Sequence, residues 1–373
     1  MSAQFVEPRY QDLALINVIP SVVSRLTGEE PVIDLPRARQ YVVLLVDGLG
    51  WHQVLEHGDH AETMAPAMVG AARLTCSVPS TTATSLTSLG TGVPTGEHGV
   101  AGYTFLEPSV GRVINALTWD GGPSDIASFA QTPTIFQRLA SIGRPSAAVT
   151  LDRFAGSALT RIAFAGTTHF PVSAEGDPDH FASLVTDALL ASDVVYCYER
   201  MLDHDGHGYG VGSWQWLDRL ASVDDMVARL VELLPEGVCL LVTGDHGMVN
   251  VPQESRLVVE EEPRLAGYTA LGGEPRFRHI YSDDPGATAW AWGSVLGERA
   301  EVLRREEAIE AGWFGPQVTS LSEARIGDVV AAMTADHAAM SVGTPGEFSL
   351  VGMHGSLTAA EMEVPLLVFG GVR

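Results

Sequence analysis

The run YVVLLVDGLG, residues 41–50, constrains the fold more than any other stretch. Its apolar residues Tyr41 to Val46 follow one another without polar alternation, so neither face of the segment is designed for water. Such a run reads as a strand buried on both sides, the arrangement of a parallel sheet sandwiched between helices. It ends at Asp47 and Gly48, which places a carboxylate at the strand's C-terminal tip, where open α/β sheets bind ligands. Similar runs recur at Ser146–Leu151, Val194–Tyr198 and Val238–Thr243, with helical patterns over Pro133–Ile142 and Trp216–Leu234 between them. The alternation predicts an α/β fold, a largely parallel central sheet with helices on both faces and right-handed crossovers.

Residues 1 to about 39 read as an N-terminal arm and helix carried by Leu13, Leu15, Ile16, Ile19, Val22 and Val23. Between about 252 and 346 the pattern breaks into a charged stretch (EEEPR), a Gly-rich link (LGGEPRFRHIYSDDPG), an apolar run (ATAWAWG) and an acidic helix near Glu301–Ala311. This region is read as a cap inserted into a single catalytic domain spanning 1–373. Afterwards FSLVGMHG and VPLLVFG return as two further core segments.

A formal net charge of -24 argues against a nucleic-acid duplex or an anionic membrane as partner. An anionic substrate would therefore need local cations, and 12 His with 46 Asp plus Glu supply the ligands to hold metals. Cys76, Cys197 and Cys239 lie in or beside Val/Leu-rich runs and read as buried strand thiols, which suits a reducing compartment. The N-terminus lacks a basic region followed by an apolar core, and no apolar run is long enough to span a bilayer. The expected location is the cytoplasm.

The stretch from Leu74 to Val100 passes from a short apolar strand through Pro79 into a hydroxyl-rich helix start. Ala83, Leu86 and Leu89 recur at helical spacing, and Ser80, Thr81 and Thr82 crowd a first turn whose free N–H groups favour an anion. Taken alone, Ser80 or Thr81 is simply a helix cap. Four other motifs argue for more: VLLVDGLG with Asp47, LDHDGHG with Asp203 and His207, TGDHG with Asp245 and His246, and GMHG with His354. Each is read as an Asp or His where a strand enters a Gly-rich loop, so that side chains from several strand ends converge. Three Asp and three His suffice for two divalent metals with open positions facing the hydroxyl-rich turn. The same reading leaves His204 and Asp205, also within LDHDGHG, open.

With these residues in hand, the chain resembles the alkaline phosphatase superfamily, and most closely its type I phosphodiesterase/nucleotide pyrophosphatase branch. The likeness is carried by Asp47 at the first strand end, TGVPTGEHG from Thr91 to Gly99, Asp203 with His207, Asp245–Gly247 and His354–Gly355. The resemblance implies one metal at Asp47, Thr82, Asp245 and His246, and a second at Asp203, His207 and His354. Ser77, Ser80, Thr81, Thr82 and Thr84 compete as nucleophile; the family's spacing to Gly92 implies Thr82, with Thr81 second. It implies two divalent ions, zinc with manganese as the alternative, and a covalent phosphothreonine intermediate in the hydrolysis of a small phosphodiester or pyrophosphate. Phosphomonoesterase and phosphonate hydrolase are the alternatives on the same fold, and a metal-binding scaffold without activity is the remote one. Thr82 is followed by Ala83-Thr84-Ser85 where relatives carry Phe-Pro-Asn, and the family's phosphate-binding Asn falls near Tyr103. Phosphate contact is therefore expected from Tyr103 or from the cap's cationic cluster, Arg276, Arg278 and His279.

Overall fold

The computed structural model describes residues 5–130 and 132–371, so the first four residues of the N-terminal arm lie outside the described residues. Its two main sheets use, in chain order, β1 (Gln40–Val46), β2 (Ala72–Thr75), β3 (Ser146–Leu151), β4 (Thr168–Val172), β5 (Val194–Glu199), β6 (Val238–Gly244), β7 (Ala270–Glu274), β8 (Phe277–Tyr281), β9 (Ala300–Arg304), β10 (Val329–Met333) and β11 (Glu363–Gly370). The central sheet has the order β2-β11-β6-β1-β5-β3-β4. From β6 to β4 all neighbours are parallel, and β11 runs against both β6 and β2.

β1 lies in the middle because its sequence tolerates nothing else. Tyr41, Val43 and Leu45 enter one hydrophobic core, while Val42, Leu44 and Val46 enter another on the opposite face. Each fully buried aliphatic side chain of this kind contributes about 1.5–3 kcal/mol. Helices Val18–Thr27, Thr82–Thr91, Ile135–Ser141 and Ala158–Ala163 cover the first face; Pro178–Leu189 and Trp214–Leu233 cover the second. The sheet and its flanking helices thus match the fold that the apolar runs predict. Cys76, Cys197 and Cys239 are free and buried.

The region read as a cap contains a second, antiparallel sheet of order β7-β8-β10-β9. Four segments take forms that the sequence reading leaves open or gives otherwise. The Gly-rich link is the β7–β8 hairpin: Gly272 serves strand packing, because a Cβ there would stand 3.0 Å from the Thr104 carbonyl oxygen. The apolar ATAWAWG lies inside helix Pro285–Leu296, and the segment near 301–311 is β9 followed by the short helix Arg305–Glu310. FSLVGMHG is not a core strand; its residues 352–353 form a two-residue pair with 249–250, which leaves the backbone free to swing His354 inward.

Buried polar links fasten this region to the rest. Arg276 grips Glu361 through Nε to Oε1 at 3.0 Å and Nη2 to Oε2 at 2.6 Å. Arg278 pairs with Glu347 and donates to the Ala339 carbonyl, and Arg325 donates to Glu107 at 2.7 Å while its guanidinium stacks over Phe129. His279 Nε2 donates to the Ala101 carbonyl at 2.8 Å.

Candidate metal centre and active site

The ligand-bearing residues meet at the C-terminal edge of the central sheet. β1 ends at Val46 and β6 at Gly244, register partners, so Asp47 and Asp245 emerge side by side. Gly48 adopts a φ of 76°, the left-handed region that glycine reaches without strain, and its N–H donates to Asp245 Oδ1 at 3.0 Å. The turn thereby folds β1 sharply away while leaving Asp47 pointing at the site.

Asp203 and His207 reach the same place by a different route. They sit on the helix Met201–Tyr209, not on a loop, and their spacing of four residues puts both on one face. His207 Nε2 is 3.4 Å from Asp203 Oδ2. Asp205, by contrast, turns to Arg219 at 2.8 Å and pairs with His204, which separates these two from the ligand cluster.

Thr82 is the first residue of the helix Thr82–Thr91, and Thr81 occupies its N-cap position without making a side-chain cap. Thr82 Oγ1 stands 3.2 Å from His246 Nε2 and 3.5 Å from Asp47 Oδ1. The competing hydroxyls are engaged elsewhere. Ser77 donates to Ser88, Ser80 to the Ser356 carbonyl, Thr84 to the Val100 carbonyl, and Thr81 to Glu274 Oε2 at 3.1 Å.

Two overlapping groups could each hold a cation: Asp47, Asp245 and His246, and Asp203, His246 and His354, the ligand atoms within each lying within 4.8 Å of one another. The residues fit such ions in two ways. Asp203 Oδ1 and Asp245 Oδ2 are buried with no hydrogen-bond partner among the described residues, an arrangement that a bound cation would relieve. Each imidazole also has its Nδ1 held by a backbone carbonyl, His207 by Gly352 at 2.8 Å, His246 by Gly247 at 3.0 Å and His354 by Ser80 at 2.9 Å. That arrangement keeps every Nε2 lone pair facing inward, the orientation required of a metal ligand. His246 bridges both groups, and its ring stacks on His354 with centroids 3.6 Å apart, so the two expected ligand sets are closer to one continuous cluster.

The electrostatics agree. Burial, then the charges of Asp245 and Asp203, push the Asp47 carboxyl well above the ordinary range; burial also raises Asp245, against the opposing pull of His246. Burial, then neighbouring His246 and His207, hold His354 neutral by lowering its pKa.

The cluster opens into a cavity of about 760 Å³ that Thr82, Tyr103 and His354 line, together with Glu274, whose carboxyl burial raises well above its ordinary pKa. The three residues expected to supply cationic phosphate contacts are not among those lining it. Arg276, Arg278 and His279 are almost wholly buried and committed to the ion pairs and carbonyl described above, because a charge in the interior is stable only when paired. Sequence reasoning also passed over Glu274 and Tyr198, whose hydroxyl donates to Asp47. Period-two alternation in VVYCY would have put Tyr196 and Tyr198 on one face; nothing marks Glu274 in advance.

The sequence profile described as type I phosphodiesterase / nucleotide pyrophosphatase matches residues 41–357. No curated protein sequence matches. Among solved structures, murine ectonucleotide pyrophosphatase / phosphodiesterase 5 superposes with a TM-score of 0.69 at 17% identity, covering 89% of this chain and 88% of that one. The human protein of the same name gives 0.70 at 16% identity over 89% and 88%. Phosphonoacetate hydrolase from Sinorhizobium meliloti 1021, in complex with phosphonoformate, gives 0.65 at 20% identity over 89% and 90%. At these identities the superpositions establish the fold, and the profile match over most of the chain establishes descent. The chain belongs to the type I phosphodiesterase/nucleotide pyrophosphatase family.

Proposed function

We propose that the protein hydrolyses small phosphodiesters or pyrophosphates with Thr82 as nucleophile. The observation that carries this is the position of Thr82 Oγ1, 3.2 Å from His246 Nε2 at a helix N-terminus, beside Asp203 Oδ1 and Asp245 Oδ2, which are buried without a hydrogen-bond partner among the described residues. In this reading Thr82 Oγ attacks phosphorus as the bond to one esterified group breaks. Water then cleaves the resulting threonine phosphate and restores the hydroxyl. The free N–H groups of the first turn of Thr82–Thr91 face the phosphoryl oxygens. The backbone carbonyls behind His207, His246 and His354 keep their rings in register, and the Tyr198 hydroxyl orients Asp47.

Asp47, Thr82, Asp245 and His246 would hold one divalent ion and Asp203, His207 and His354 a second, zinc or manganese. When bound, such ions neutralise charge on the phosphoryl group and favour the alkoxide form of the hydroxyl. A diester fits better than a dianionic monoester or a carboxylated phosphonate, because Arg200 is the one guanidinium among the described lining residues and it is paired with Glu175. Three buried free thiols suit a cytoplasmic setting.

The test compares bis-4-nitrophenyl phosphate, 4-nitrophenyl phosphate and phosphonoacetate as substrates of one preparation, stripped with chelator and reloaded with zinc or manganese. Metal-restored preference for the diester supports the reading. Preference for the monoester or the phosphonate reassigns the chemistry on the same site.

A further inference from the structure

The cavity does not end at the ligand cluster. Beyond Thr82 it runs on between the helix Thr82–Thr91, the helix Ala158–Ala163 and the sheet. Leu86 lies one turn along from Thr82 on the same helix face, about 6 Å deeper. Ala148 of β3 and Tyr196 of β5 are register partners and form the floor; Leu159 and Phe164 close the far side. The Phe164 ring stacks on Tyr196 with centroids 4.2 Å apart. No charged side chain is among these five.

One atom in this arm is out of keeping with its surroundings. Tyr196 is 1% exposed, and its hydroxyl has no hydrogen-bond partner among the described residues. Thr150 and Thr160, which also line the cavity, have partners: Thr150 Oγ1 is 3.0 Å from His169 Nε2, and Thr160 Oγ1 accepts from Ser157 at 2.9 Å. Tyr196 precedes Tyr198 by two residues, so both side chains share a face, with Tyr196 about 7 Å further back from the sheet edge. A buried tyrosine hydroxyl normally finds a partner, and Tyr196 is one of the residues that line the cavity.

We propose that this arm receives an organic group esterified to phosphorus, and that the group is an uncharged, mainly apolar alkyl or aryl moiety with one polar atom that pairs with the Tyr196 hydroxyl. This rests on the phosphoester reading above. A nucleoside, with several polar edges, would leave most of them unpaired against Leu86, Leu159 and Phe164.

The experiment measures kcat/KM of the metal-loaded protein for methyl, hexyl and thymidine 5′ esters of 4-nitrophenyl phosphate, and in parallel the calorimetric affinity for methylphosphonate and hexylphosphonate. The hexyl ester is expected to exceed both others by at least about ten-fold, and hexylphosphonate to bind tighter than methylphosphonate by a similar factor. Ala148→Leu, or Leu159→Phe should the first fail to fold, is expected to bring the hexyl-to-methyl ratio near one. Tyr196→Phe removes no internal bond and is expected to leave the melting temperature unchanged; a marked fall would show the hydroxyl to be structural and overturn its assignment. Equal use of methyl and hexyl esters, or preference for the thymidine ester, would overturn the arm while leaving the phosphodiesterase reading intact. Absence of turnover on all three would instead count against that reading, and the phosphonate affinities would still decide the arm.

Discussion

Thr82 Oγ1 and His246 Nε2 stand 3.2 Å apart although 164 residues separate them in the chain, and no other hydroxyl of the 77–84 stretch faces an imidazole of this cluster. The first prediction follows from that pairing. Thr82→Ala is expected to lower turnover of bis-4-nitrophenyl phosphate at least about a thousand-fold with little change in melting temperature, while Thr82→Ser keeps measurable activity. Turnover of the alanine variant at the wild-type rate would remove Thr82 from the mechanism.

Metal removal should expose the strain in the acid cluster. Asp47 has its pKa raised by burial and by Asp245 and Asp203, so its contribution to the stability of the metal-free fold is present at low pH and lost as pH rises past the ordinary carboxylate range. At neutral pH, Asp47→Asn stripped with chelator is therefore expected to melt above stripped wild type, by a few degrees for on the order of 1 kcal/mol. Elemental analysis should show less metal per chain in the same variant. A stripped variant that melts lower would contradict the picture of unrelieved carboxylate repulsion.

The guanidinium of Arg276 tests placement against function. Its bidentate pair with Glu361 is fully buried, so Arg276→Met strands a carboxylate and is expected to destabilise the fold by about 3–5 kcal/mol. Adding Glu361→Gln should recover part of the loss. KM for the diester, measured well below the melting transition, should change less than two-fold. Unchanged stability with a raised KM would return Arg276 to the substrate.

Acid sensitivity has a separate source away from the candidate metal ligands. His279 accepts a hydrogen bond from the Gly327 N–H at Nδ1 and donates to Ala101 from Nε2, an arrangement only the neutral ring can satisfy. Burial pushes its pKa down to about 4. The unfolded chain takes up this proton near its ordinary pKa while the folded one does not, so stability is expected to fall as pH drops from roughly 6.5 to about 4. Across that window the loss is on the order of 3 kcal/mol. His279→Gln should flatten this part of the pH–melting curve relative to wild type, both measured in chelator; parallel curves would refute the assignment.

The central sheet was legible because its signal is local. Ser146–Leu151 is found as a strand with the expected bounds, since an apolar run buried on both faces carries its own evidence. The 270–274 and 277–281 hairpin was not, because Gly272 answers to the Thr104 backbone packed across it, a contact remote in sequence. Of the site, Asp47 and Asp245 could be placed from the strands they terminate. The helical setting of Asp203 and His207 was hidden by the two glycines of LDHDGHG, Gly206 and Gly208, which read as a loop. The cationic cluster misled for a related reason: charge density along a chain does not say which acid will meet it, and Glu361 and Glu347 lie far downstream.

The polar links that fasten residues 252–346 to the rest bear on how a substrate can arrive. Swinging that region outward would separate two buried ion pairs, Arg276 with Glu361 and Arg325 with Glu107, and expose the interior packed around them. Both pairs hold the region closed against the rest of the chain. The entrance is a standing doorway and not a jaw, and its shape sorts substrates before any chemistry begins.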